Sequence, residues 1–220
     1  MKSRNAMVLV AHADDEVLGA GGLIQKLLKD RWSVAIVILS DGQLTVRSTL
    51  QDNRHDAFRC SKLLGMTSDP VILNYPDQKF DGILIAEMAG AVLKLDIEPD
   101  LIVTHVDTDL NLDHRIVCDI AKIVGRPKRK PIAILGCEIP STTMWNGKQF
   151  AANFYVDVTN EIETKIEAFS QYANELQDYP HPWSREGLRL LAQYHGMQSG
   201  FQYAEAFNVI RGVSGLMPSS

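Results

Sequence analysis

Apolar positions along this chain fall into two alternating rhythms. Unbroken apolar runs at AMVLVAH (6–12), SVAIVILS (33–40), LIVTHV (101–106) and IAILGCEI (132–139) read as strands buried on both faces, with a shorter one near PVILNY. Between them, EVLGAGGLIQKLLKD (16–30) repeats its apolar residues at three and four, the spacing of a helix with one buried face. The same spacing predicts helices over TLQDNRHDAFRCSKLLG (49–65), ended by Gly65, over GILIAEMAGAVLKL, and from Asp113 to Val124. Strand and helix in strict alternation predict right-handed βαβ units. The expected fold is therefore α/β: a doubly wound, Rossmann-like parallel sheet flanked by helices, its crevice outside the carboxyl ends of the strands.

After residue 140 the pattern loosens into a loop, PSTTMWNGKQF, a strand near NFYVDV, and two helical stretches near 160–176 and 184–195. The expectation is a single domain over 1–220, with a core at 1–140 and a C-terminal extension at 141–220 packed on it. An apolar content of 45% and a charged content of 22% belong to a globular protein, not a disordered one. A formal charge of −5, with GRPKRK (125–130) as the one basic run, argues against a general nucleic-acid binder. The six apolar residues after Lys2 and Arg4 fall short of a signal-peptide core, and no apolar window has the length of a membrane span. A cytoplasmic protein is expected. Cys60, Cys118 and Cys137 form no C-x-x-C pair, so they suggest neither a disulfide framework nor a thiolate zinc site and read as small buried apolar residues.

The first strand runs into His12, Asp14, Asp15 and Glu16. Capping of the next helix by Asp14 or Asp15 would use one or two acids, but it needs no histidine, and three adjacent acids repel one another unless a cation neutralises them. The strand LIVTHV delivers a second polar cluster to the same sheet edge: His105, Asp107, Asp109, Asn111, Asp113, His114 and Arg115. Catalytic zinc takes three imidazole or carboxylate ligands and leaves a position for water, a set that His12, Asp15 and one histidine of the second cluster would supply. Gly19, Gly21 and Gly22 in the first helix each cost about 1 kcal/mol relative to alanine, which points to close approach of a neighbouring strand or of substrate.

AHADDE resembles the His-Pro-Asp-Asp-Glu signature of the PIG-L / LmbE-like zinc-dependent N-acetylglucosamine deacetylases, with Ala13 in place of proline. SDG at 40–42, the helix containing Arg54, DLNLDHR at 109–115, EIPSTT-x-W from 138 and QYAEAF at 202–207 resemble further stretches of bacterial members, so the likeness spans nearly the whole chain. The resemblance implies that His12, Asp15 and His114 bind one zinc per chain, with Fe2+ or Co2+ as alternatives, and that Asp14 is the general base. It also implies a substrate-binding role for Arg54, and a homo-oligomer. The reaction implied is hydrolysis of an N-acetyl group on an aminosugar, nucleotide sugar or glycoconjugate, with an activated water as nucleophile.

Some residues read two ways. Asp113 serves either as a carboxylate orienting a site histidine or as a helix N-cap, and His105 as a structural residue at its strand end. Glu16 is expected to bond nearby backbone at the helix start. Asn111 stands where well-studied relatives carry a histidine; an amide can donate to an oxyanion but cannot deliver a proton, so the leaving amine is expected to receive one from Asp14 acting twice, with His105 or His195 as alternatives. His55 and His181 read as surface or loop residues, and Trp145 and Tyr155 either stack on a sugar or pack in the core. Two rival functions stand beside the deacetylase. One is a metal-dependent glycosyltransferase using the D-x-D of Asp107 and Asp109; the other is a non-catalytic sugar or nucleotide binding module using GAGG.

Overall fold

A computed structural model describes residues 4–42 and 53–218. Seven strands form one sheet: β1 (Asn5–Val10), β2 (Ser33–Ser40), β3 (Val71–Tyr75), β4 (Leu101–Thr104), β5 (Ala133–Cys137), β6 (Phe154–Asp157) and β7 (Ala204–Arg211). Their order is β3-β2-β1-β4-β5-β7-β6. The first five are mutually parallel, and β7 enters antiparallel between β5 and β6. Among the described residues the α-helices are α1 (Asp15–Lys29), α2 (Arg54–Leu63), α3 (Ile85–Leu93), α4 (Leu112–Val124), α5 (Ile162–Phe169) and α6 (Arg185–Ser199).

The unbroken apolar strands follow from burial on both sides. Ala6, Val8 and Val10 of β1 join the core under α1, α2, α5 and α6, while Met7 and Leu9 join the core under α3 and α4. Strand order reverses at β1: the chain moves outward to β2 and β3, then returns to β4 on the other side. That reversal opens a crevice at the carboxyl ends of β1 and β4, the two strands that lead to His12 and His105.

The predicted strand at 6–12 ends two residues early, and the predicted helix at 49–65 is described from Arg54 onward, its first residues lying outside the described part of the chain. β7 corrects the sequence reading, which predicted no strand there. Its second residue is Glu205, which serves α1. Ala20 has non-helical dihedrals (φ −149°, ψ 18°), so α1 breaks there and its second half starts with open N–H groups. The Glu205 carboxylate accepts those of Gly22 (2.8 Å) and Leu23 (2.7 Å), and Lys165 bridges Glu205 (2.7 Å) to the Leu18 carbonyl (2.8 Å). The helix glycines answer to packing: a Cβ at Gly19 would strike Cys137 of β5, and one at Gly22 would strike Val158. All three cysteines are buried and free. No helix among the described residues is long and apolar enough to cross a membrane.

Candidate active site

Several chain segments meet at the crevice and line a cleft of about 150 Å³, Asn53 before α2 and Thr142 after β5 among them. The β1–α1 turn brings His12, Ala13, Asp14 and Asp15; the segment after β3 brings Asp77 and Gln78; the start of α4 brings Asn111 and His114; and the C-terminal region brings Glu175 and Trp183.

His12, Asp15 and His114 converge, their ligand atoms all within 4.8 Å of one another. The hydrogen bonds around them fix which nitrogens point inward. His12 Nε2 lies 3.2 Å from both Asp113 Oδ2 and Asp77 Oδ1; carboxylates only accept, so Nε2 carries the proton and Nδ1 presents a lone pair. His114 Nδ1 lies 3.0 Å from Asp109 Oδ2, so its Nε2 presents a lone pair likewise. The nitrogens His12 Nδ1 and His114 Nε2 face each other at 3.2 Å. Asp15 stands 3.4 Å from each nitrogen, Oδ2 toward His12 and Oδ1 toward His114. Ligand atoms about 2.1 Å from a tetrahedral zinc stand roughly 3.4 Å apart, so the donor set has both the chemistry and the spacing for a divalent metal.

Burial works against charge on His12, but the bonds to Asp113 and Asp15 outweigh it and hold the imidazole pKa well above its usual value, so a metal bound through Nδ1 would take the place of a proton that the carboxylates favour there. Burial also opposes ionisation of Asp15, yet His114 and His105 hold its carboxyl well below the usual carboxylate range. Asp14 behaves oppositely: burial, with Asp15 and Glu175 close by, pushes its pKa well up. The pocket thus carries an excess of acid that calls for positive charge.

His105 is fully buried, its ring stacked on that of His114 at 4.0 Å, with Nε2 accepting the Ala11 N–H (3.0 Å) and lying 3.4 Å from Asp15. Asp113 turns to His12 and to the Phe80 N–H, while Asn111 caps α4 by accepting the Asp113 N–H (2.9 Å). Asn111 Oδ1 is thereby committed, and its Nδ2 hydrogens are the donors left to the cleft it lines. Glu16 bonds backbone as expected, taking the Asp14 N–H. Arg54 opens α2 next to the cleft-lining Asn53 and is not itself among the described lining residues.

Two expectations are corrected. Asp107 and Asp109 do not converge: Asp107 is exposed and paired with Lys122, whereas Asp109 is buried against His114 and Thr142. This removes the D-x-D basis of the glycosyltransferase reading. His195 is no proton source for this cleft, because both its ring nitrogens are engaged elsewhere, by Glu138 (2.6 Å) and Gln198 (3.0 Å). Tyr155 packs near His195, away from the cleft; Trp145 lies edge-on to His181, which meets the cleft-lining Trp183 in the same way. Sequence reasoning passed over Asp77, Glu175 and the orienting role of Asp109. Asp77 follows β3 at the same sheet edge, a position that flags it, whereas Glu175 falls within the helical stretch predicted near 160–176, of which only α5 (Ile162–Phe169) forms, and lies in the irregular chain after it.

The sequence profile of the PIG-L family, described as GlcNAc-PI de-N-acetylase, matches residues 7–124, more than half of the chain, and the protein belongs to that family of deacetylases. Diacetylchitobiose deacetylase of Thermococcus kodakarensis is 22% identical over 236 aligned residues, covering 96% of this chain and 84% of its own. Among solved structures, N,N'-diacetylchitobiose deacetylase of Pyrococcus horikoshii, complexed with its inhibitor MPG, matches with a TM-score of 0.77 at 22% identity, over 95% of this chain and 84% of that one. GalB, the 4-carboxy-2-hydroxymuconate hydratase of Pseudomonas putida, matches with a TM-score of 0.71 at 18% identity, over 97% and 98%. One fold thus carries two chemistries, and the reaction has to be argued from the site.

Proposed function

We propose that this protein is a zinc-dependent hydrolase that removes the N-acetyl group from an aminosugar, free or within a nucleotide sugar or glycoconjugate. The observation that carries the reading is the pair of imidazole nitrogens, His12 Nδ1 and His114 Nε2, facing each other beside Asp15, with a further carboxyl, Asp14, on the same cleft and outside the ligand set. A divalent ion held by His12, Asp15 and His114 supplies Lewis acidity and lowers the pKa of water. Asp14 accepts the proton of the attacking water as its oxygen adds to the acetyl carbon. The Nδ2 hydrogens of Asn111 donate to the carbonyl oxygen as charge builds on it. When the C–N bond breaks, Asp14 returns its proton to the leaving nitrogen, since Asn111 cannot, and the products are acetate and a free amine. Asp109 keeps the His114 nitrogen turned inward, and Asp113 with Asp77 does the same for His12.

The test joins metal analysis of the purified protein with acetate release from N-acetylated sugars, nucleotide sugars and glycosyl lipids, with and without added zinc. About one metal per chain and zinc-dependent acetate release are expected. Bound metal without acetate, together with hydration of an unsaturated acid, would replace the deacetylase by a hydratase.

A further inference from the structure

Two cleft residues have positive φ, Gln78 at 55° and Asp14 at 129°; Asp14, with ψ −30°, lies the farther from the left-handed region that non-glycine residues visit. A side chain there costs about 1–3 kcal/mol and persists only where the surroundings impose it. Asp14 is also the N-cap of α1, the position at which an aspartate normally bonds the open N–H groups of the first turn, yet its carboxylate makes no capping bond. The Glu16 carboxylate reaches back instead and accepts the Asp14 N–H through Oε2 at 2.9 Å. The return is that of a capping box made one residue early, from N2 in place of N3, and the N-cap carboxylate is released from the helix. It lines the cleft together with Asp15, although consecutive side chains ordinarily diverge.

What fixes Glu16 comes from far along the chain. Its second oxygen, Oε1, accepts the Tyr172 hydroxyl at 2.5 Å, across 156 residues of sequence. Glu16 is 1% exposed and Tyr172 0%. Tyr172 is seated in turn by its N–H on the Phe169 carbonyl (3.0 Å), and its own carbonyl accepts the N–H of Glu175 (2.9 Å), a cleft residue. A helix start needs no buried tyrosine to support its capping acid, because water would serve. We infer that Glu16 and Tyr172 are positioning residues that lock the Asp14 backbone so that its carboxyl faces the cleft, a role that rests on Asp14 being the proton acceptor proposed above.

The experiment compares Tyr172→Phe, Glu16→Ala and Glu16→Gln with the parent enzyme, each loaded with zinc, for metal stoichiometry, kcat and KM in acetate release. Tyr172→Phe and Glu16→Ala are expected to lower kcat by about tenfold to a hundredfold, the scale of an ångström-sized misplacement, with metal content unchanged and KM within about twofold. Glu16→Gln, whose amide is able to accept from Asp14 and donate to Tyr172, is expected to stay within about threefold of the parent. Should Tyr172→Phe not fold, Glu16→Ala set against Glu16→Gln carries the same comparison. Parental kcat in Tyr172→Phe, a joint loss of metal and KM in place of kcat alone, or a Glu16→Gln as slow as Glu16→Ala would overturn the inference. Full activity in Asp14→Ala would instead undo the underlying reading of Asp14; an inactive Asp14→Ala beside an unaffected Tyr172→Phe would undo the brace alone.

Discussion

Replacing Asp14 separates what its backbone costs from what its carboxyl does. Alanine and glycine remove the same carboxyl and the same crowding by Asp15 and Glu175, so the difference between the two variants isolates the backbone at φ 129°. Alanine keeps a Cβ in that conformation, at about 1–3 kcal/mol of strain; glycine sheds it but loses about 0.5–1 kcal/mol through the greater freedom of its unfolded chain. Asp14→Gly is therefore expected to be about 1 kcal/mol more stable than Asp14→Ala. For a chain of this length that corresponds to a melting temperature about 2–4 °C higher. Thermal and urea unfolding of the two metal-free variants side by side measures it, and turnover of both should fall by the same factor, roughly 10²–10⁴, because neither can take the proton. An Asp14→Ala more stable than Asp14→Gly by about 0.5–1 kcal/mol, the glycine entropy alone, would show that the positive φ is unstrained, and the brace would have nothing to hold.

Asp109→Asn weakens the bond that turns His114 Nε2 inward, so metal affinity should fall by about 10–100-fold in competition with a chelator; unchanged affinity would remove Asp109 from the site. Asp107→Ala, at an exposed position paired with Lys122, should leave metal binding and turnover within about twofold, the range of surface ion pairs, whereas lost metal would restore the D-x-D reading. Lys165→Met strands the buried Glu205 carboxylate, and urea unfolding should register a loss of about 3–5 kcal/mol; a loss below about 1 kcal/mol would mean that the bonds of Glu205 to Gly22 and Leu23 suffice to repair α1.

How far the sequence reaches depends on the range over which each feature is determined. The parallel strands β1, β2 and β4 are legible because their apolar runs follow locally from burial on both faces, and the meeting of the clusters after β1 and β4 follows from the strand order that βαβ units impose. His12, Asp15 and His114 could thus be named together from spacing and resemblance, and the structure sets them around one point. Asp107 and Asp109 show where spacing misleads: two residues apart on a turn, they face opposite surroundings, one toward solvent and Lys122, the other toward His114. β7 eludes periodicity because Glu205 interrupts its apolar run, and the reason for that acid, the break at Ala20, lies far from it in sequence.

Tyr172 and Glu175 mark the outer limit of sequence reading. Nothing in the local pattern NELQDYP or SQYANE distinguishes an aromatic that packs from one that holds the third acid of the first motif, or an exposed acid from one buried in the cleft. Both acquire their meaning from contacts back to the first quarter of the chain, Tyr172 to Glu16 and Glu175 to Asn53, whose Nδ2 donates to its Oε1 at 3.2 Å. The division into a core and an extension is therefore one of pattern, not of work: residues before 140 supply every group of the proposed metal set, and residues after 170 press on the acid beside it. Removal of the chain from Tyr172 onward would take β7 and Glu205 away from α1 together with the hydroxyl from Glu16, so the point variant Tyr172→Phe is what isolates the contact on which the Asp14 backbone depends.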